Sequence, residues 1–141
     1  LRSLATLPVR YAAQDAAGRA LAAWLATRPE VARVLHPALA GSPGHEHWQA
    51  SCTGAAGLFS VLLQAHYSTA QVNAFVDALR LFRIGYSWAG PMSLVVPYDL
   101  AGMRDDRSGL QGHLVRFSMG LEAVADLQAD LAQALALGLQ E

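Results

Sequence analysis

The sequence predicts an α+β domain: a small, mostly antiparallel sheet with helices packed on one face. Three observations carry this. Short apolar runs of strand length alternate with longer segments of helical period. Their order is helix, strand, long loop, strand, helix, two strands, strand, helix, with no internal repeat. The length, 141 residues, suits a single core-bearing unit.

The first helix is expected from Leu7 to about Thr27, where Ala, Leu, Gln and Arg dominate and Leu21, Trp24 and Leu25 share a face. Pro8, just after Thr6, sits where a missing N–H does no harm, and Pro29 closes the segment. "VARVLHP", Val31 to Pro37, reads as a short strand. Residues Ala38 to Gly54 carry Gly, Ser, Pro and His and read as a long irregular connection. "GLFSVLL", Gly57 to Leu63, is the next strand. Ser68 and Gln71 then form a capping box in front of Val72, Phe75, Val76 and Leu79, which repeat at helical spacing.

After Phe82, "RIGYS" and "SLVVP" are predicted strands, with a bend from Trp88 to Pro91 between them. Asp99 to Gly112 is polar and glycine-containing, hence loop, and "HLVRFSM" alternates as a strand. From Glu122 onward the chain is an amphipathic helix, with Val124, Leu127, Leu131 and Leu135 facing inward and Asp126 and Asp130 facing water.

Composition excludes several functions. The net charge of -1 and the absence of a basic stripe give no electrostatic footprint for nucleic acid. No stretch is long and apolar enough for a membrane helix. Charged residues are only 15% of the chain, which suggests apolar surface covered by another domain or subunit. The ten basic residues are all arginine, so this chain cannot supply a lysine amine. The single Cys52 excludes an internal disulfide, fits a reducing, cytoplasmic setting, and reads as a small buried apolar residue. A beginning of Leu1-Arg2-Ser3, without Met or a signal pattern, suggests a piece of something longer.

Candidate chemistry is sparse. "GHEHW" places His45, Glu46 and His47 together, but two histidines two apart in a Gly/Pro loop do not make a metal site, and the helical His pair four apart is absent. No metal is expected. His36, His66 and His113 are isolated. In "HLVRFSM", strand alternation puts Val115, Phe117 and Met119 on one face and Leu114, Arg116 and Ser118 on the other. A guanidinium on an apolar strand is costly unless an anion meets it, and its planar fork suits a carboxylate. Spacing alone favours an internal ion pair and leaves a ligand carboxylate open. Tyr86, Ser87 and Trp88, ahead of the Ala89-Gly90-Pro91 bend, are either a binding lip or a strand end with a buried tryptophan.

Together, "TLPVR", "VARVLHPAL", "GHEHW", "TGAAGLFSVLL", "LFRIGYSWAGPMSL" and "VRFSMGLEAVADLQADL" resemble the C-terminal domain of the pyridoxal-phosphate enzymes of cysteine and methionine metabolism, in their order and over essentially the whole chain. The cystathionine β-lyase branch is the most similar. The resemblance implies a fold-type-I enzyme in which residues 1–141 are one small domain and residues 1–28 a helix leading to a large domain. That large domain would hold pyridoxal phosphate and the Schiff-base lysine. It implies a homo-oligomeric, cytoplasmic enzyme of methionine biosynthesis acting on a small amino-acid substrate, by α,β-elimination of cystathionine to homocysteine, pyruvate and ammonia. No catalytic residue falls in this chain.

Carried over residue by residue, Arg116 matches the arginine that grips the substrate α-carboxylate. Ser87 and Trp88 match residues lining that pocket, with Tyr86 just behind. Where the family usually continues Gly-Gly-x-Glu-Ser, this chain has Ala89-Gly90-Pro91-Met92-Ser93, which removes a glutamate. Trp88 points to the β-lyase branch, because the γ-synthases, γ-lyases and sulfhydrylases usually carry leucine there. Those branches and a non-catalytic interaction module are the alternatives.

Overall fold

The structure, a computed structural model, describes residues 3–101, 103 and 110–140. A five-stranded sheet forms its centre, with strands β1 (Val31–Leu35), β2 (Leu58–Leu63), β3 (Arg83–Ile84), β4 (Leu94–Asp99) and β5 (His113–Ser118) in the order β1-β2-β5-β4-β3. All neighbours are antiparallel except β3 and β4, which run parallel over two residue pairs. Helices α1 (Leu7–Leu25), α3 (Thr69–Ala78) and α4 (Val124–Gly138) lie on one side, and a 3-10 turn, Leu4–Thr6, leads into α1. This is the predicted α+β arrangement.

Strand alternation decides which face the helices cover. Phe59, Val61 and Leu63 of β2, Val95 of β4, and Val115 and Phe117 of β5 are all buried, and with Leu21, Leu25, Phe75, Leu127, Leu131 and Leu135 they make one core. The reverse face carries Ser60, Leu114 and Arg116, all only half-buried. No helix of the described residues is long and apolar enough to cross a membrane.

The helix starts follow their sequence signals. Pro8 lies in the first turn of α1, and the Ser68–Gln71 capping box is complete: Ser68 Oγ accepts the Gln71 N–H at 3.3 Å, and Gln71 Oε1 accepts the Ser68 N–H at 3.0 Å.

Elsewhere the structure departs from expectation. The connection from Ala38 to Gly54 contains a two-turn helix, α2 (His45–Ser51). Gly41 and Gly44 belong to the turns before it, with φ of 84° and 75°, which only glycine adopts freely, and Cys52 just after it is exposed rather than buried. "RIGYS" pairs only at Arg83 and Ile84. β4 does not stop at Pro97 but runs to Asp99, because β3 reaches only Leu94 and Val95 and leaves the proline's outer side without a ladder to break. Asp130 does not face water. It is 5% exposed, and its carboxylate accepts the backbone N–H groups of Arg80 at 2.9 Å and Leu81 at 2.8 Å, where the chain leaves α3 for β3. The loop predicted between Asp99 and Gly112 lies partly outside the described residues.

Candidate functional site

Arg116 stands at the centre of the open face. Val115 and Phe117, its neighbours on β5, are fully buried, so the pleat turns the guanidinium away from the core. Ser60 on β2 and Val96 on β4 flank it in register. A groove of about 420 Å³ opens beside it, lined by Leu35, Ser60, Tyr98, Leu100, Leu114 and Arg116 among others. The lining is apolar apart from one cation and two hydroxyls.

Contrary to the expectation of a costly buried charge, Arg116 is only half-buried, because it borders a groove rather than a packed layer. Nor does it form the internal ion pair that spacing favoured. Its Nη2 donates to the Tyr86 carbonyl at 2.8 Å, and among the described residues no carboxylate pairs with it. The remaining N–H groups of the fork are available to an anion entering the groove.

That hydrogen bond brings the second group of candidates to the first. Tyr86, Ser87 and Trp88 run past Arg116 as an irregular segment between β3 and β4. Tyr86 is 75% exposed and Trp88 62% exposed, so the reading of a strand end with a buried tryptophan does not hold. Ser87 is also exposed. Trp88 does not line the Arg116 groove; it faces a separate hollow of about 230 Å³ between itself and α1, bordered by Leu7, Tyr11, Leu58 and Met119. The structure thus joins Arg116 to the backbone of this segment and leaves the Ser87 and Trp88 side chains on the surface.

The far end of the segment is fastened by groups the sequence did not signal. Glu122 accepts the Ser93 N–H and the Ser93 hydroxyl, each at 2.8 Å, and Ser93 Oγ accepts the Gly120 N–H at 2.9 Å. Pro91 O accepts from Leu121 N at 2.9 Å. Met92, where the family's glutamate is missing, is 57% exposed and takes no part in these bonds. These pairings span nearly thirty residues, so only the fold reveals them.

No group of three His, Cys, Asp or Glu placed to hold an ion occurs among the described residues, and "GHEHW" has packing roles. His45 stacks on Trp48 with centroids 5.7 Å apart, and its Nδ1 lies 2.8 Å from Pro37 O. Arg19 of α1 lies over the Trp48 ring at 5.1 Å and bonds Asp15 at 2.8 Å, while the other Asp15 oxygen accepts the Ala55 N–H. Burial raises the Asp15 carboxyl, but the Arg19 and Ala55 hydrogen bonds and the Arg19 charge outweigh it and hold it below its usual value. The cluster ties α2 to α1.

Comparison with known proteins adds the ancestry. Residues 1–136 match the family described as Cys/Met metabolism PLP-dependent enzyme. The chain is 44% identical over 139 residues to cystathionine beta-lyase of Salmonella typhimurium, covering 96% of this chain and 35% of that protein. It is 34% identical over 140 residues to rat cystathionine gamma-lyase, covering 95% and 35%. A crystal structure of cystathionine gamma synthase from Xanthomonas oryzae pv. oryzae, in complex with aminoacrylate and cysteine, superposes with a TM-score of 0.83 at 31% identity, over 96% of this chain and 36% of that one. The chain spans about a third of the length of these relatives. It belongs to the pyridoxal-phosphate-dependent enzymes of cysteine and methionine metabolism.

Proposed function

We propose that this chain is the C-terminal, substrate-carboxylate part of a cystathionine β-lyase, and that Arg116 grips the substrate's α-carboxylate. The observation that carries the reading is the Arg116 fork, which borders a largely apolar groove and has no carboxylate partner among the described residues. A guanidinium so placed offers two parallel N–H groups to a carboxylate, a pairing that fixes orientation as well as position. Ser87 and Trp88 form the exposed lip beside it, with Tyr86 holding the guanidinium through its carbonyl.

The residues of this chain fit the substrate side of the site and not the cofactor's attachment. The groove's donors are one guanidinium and two hydroxyls, and the chain has no lysine. Pyridoxal phosphate, when bound, supplies an electron sink for a carbanion at Cα. Under this reading a separate large domain holds it, residues 1–28 lead to that domain, and residues 1–141 form the small domain. The whole protein converts cystathionine and water to homocysteine, pyruvate and ammonia. It does so as a cytoplasmic homo-oligomer in methionine biosynthesis.

In the full-length enzyme, Arg116→Lys keeps the charge and loses the fork. The KM for cystathionine is expected to rise about tenfold or more, with kcat changed much less. Unchanged kinetics would remove Arg116 from the site. The likeness to gamma-lyase and gamma synthase keeps a second reading within the family, and the product decides it: pyruvate for β-elimination, 2-oxobutyrate for γ-elimination.

A further inference from the structure

We infer that Gln14, together with Arg10, is a positioning residue for the carboxylate site: from α1 it fixes the backbone of the segment Tyr86–Pro91 against Arg116. The inference rests on the reading of Arg116 given above. Gln14 is a glutamine on the inward face of α1 and only 4% exposed. A buried amide is costly unless it is hydrogen-bonded. Its Nε2 donates to the carbonyl of Gly90 at 2.8 Å, across 76 residues of sequence.

Arg10, one turn earlier on the same helix, points the same way. Its Nη1 donates to the carbonyl of Ala89 at 3.3 Å. Its other nitrogens are held by Thr6 Oγ1 at 3.1 Å and by Ser3 O at 2.9 Å, so its reach is set in advance. Two consecutive carbonyls of the lip are therefore gripped from one helix. On the opposite side the Ala89 N–H is 3.4 Å from Ser118 Oγ of β5.

The backbone between these grips is unusual. Ala89 has φ of 61°, in the left-handed region that a residue with a Cβ disfavours. Such a conformation persists where its surroundings over-determine it, and here Arg10, Gln14 and Ser118 do so. Glycine is absent at this position, so the conformation depends on contacts rather than on chain freedom.

The two sides of the lip are not equivalent. The Arg116–Tyr86 hydrogen bond uses the guanidinium that is to hold the ligand, and a carboxylate entering the groove competes for it. The contacts from α1 do not compete with the ligand. They hold Ala89 and Gly90 in place whether or not Arg116 is engaged, and any shift of the first turns of α1 moves the lip with it. The hollow between Trp88 and Leu7, Tyr11 and Gln14 gives the indole room to follow.

The test is made in the full-length protein with Gln14→Met, which keeps the length and removes the donor. Amide exchange of residues 86–90 is expected to accelerate roughly fivefold to tenfold, with residues 113–119 unchanged, as for a local opening. The KM for the amino-acid substrate is expected to rise about fivefold with kcat within about twofold. Arg10→Met, at a half-buried site, is expected to loosen the same segment, and it carries the test if the Gln14 variant does not fold. Exchange in 86–90 within about twofold of the parent protein, or equal acceleration in 113–119, overturns the inference. So does an unmoved KM in Gln14→Met where Arg116→Lys raises it, which leaves the carboxylate reading standing. Loosening of 86–90 with KM unmoved by either substitution supports the tether and overturns the carboxylate reading.

Discussion

At His36 the imidazole is fully buried against Phe59, with Nδ1 accepting the Ala38 N–H at 3.2 Å and Nε2 without a partner among the described residues. Burial lowers its pKa below the usual 6.5; the Arg19 charge acts in the same direction and Asp15 opposes both. The folded chain therefore binds this proton less readily than the unfolded chain. Stability from His36 is complete above the unfolded value and falls as pH drops from about 6.5 toward the folded pKa. His36→Gln is expected to flatten the loss of urea stability between about pH 7 and pH 5, relative to the parent. An unchanged slope would mean that other groups set it. At the same scale, strand alternation in the sequence marked Arg116 as the odd residue of an apolar strand. It could not say that a groove opens beside Arg116, and that decides how much the charge costs.

Among the elements, α3 and α4 pack so closely that a Cβ on Gly138 would fall 2.2 Å from the Phe75 backbone. The junction that follows, from α3 into β3, turns on Asp130 of α4 and its hold on the Arg80 and Leu81 amides. Asp130→Ala would leave the partly buried N–H groups of Arg80 and Leu81 and the buried one of Phe82 without this carboxylate, and is expected to cost about 2 kcal/mol in urea unfolding. A loss below about 1 kcal/mol would show that water replaces the carboxylate. Helical periodicity put Asp130 beside Asp126 on a polar face, because period describes faces and not neighbours. The helix α2 was missed for a related reason: Gly41, Ser42, Pro43 and Gly44 mark the turns in front of it, and seven helical residues are too few for a clear period. The capping box at Ser68 was legible because both partners lie within one turn.

For the whole molecule, helices cover one side of the sheet while Leu4, Leu7, Tyr11, Trp88 and Met92 remain exposed. A surface of this kind on a chain with 15% charged residues suits burial by another domain or subunit. The purified 141-residue chain, supplied with pyridoxal phosphate, is expected to release no pyruvate from cystathionine and to self-associate with rising concentration in sedimentation velocity. Robust turnover by this chain would overturn the division of labour proposed for it.

The amino-acid order by itself determined the α+β class, the faces of β5, the capped start of α3 and the family's motifs. These depend on neighbours within a turn or a pleat, where geometry is repetitive. Only the tertiary structure decided that Gln14 meets Gly90, that Glu122 meets Ser93, and that Arg116 looks onto an open groove. Contacts between distant segments depend on how loops close and which faces meet, and no local period encodes that.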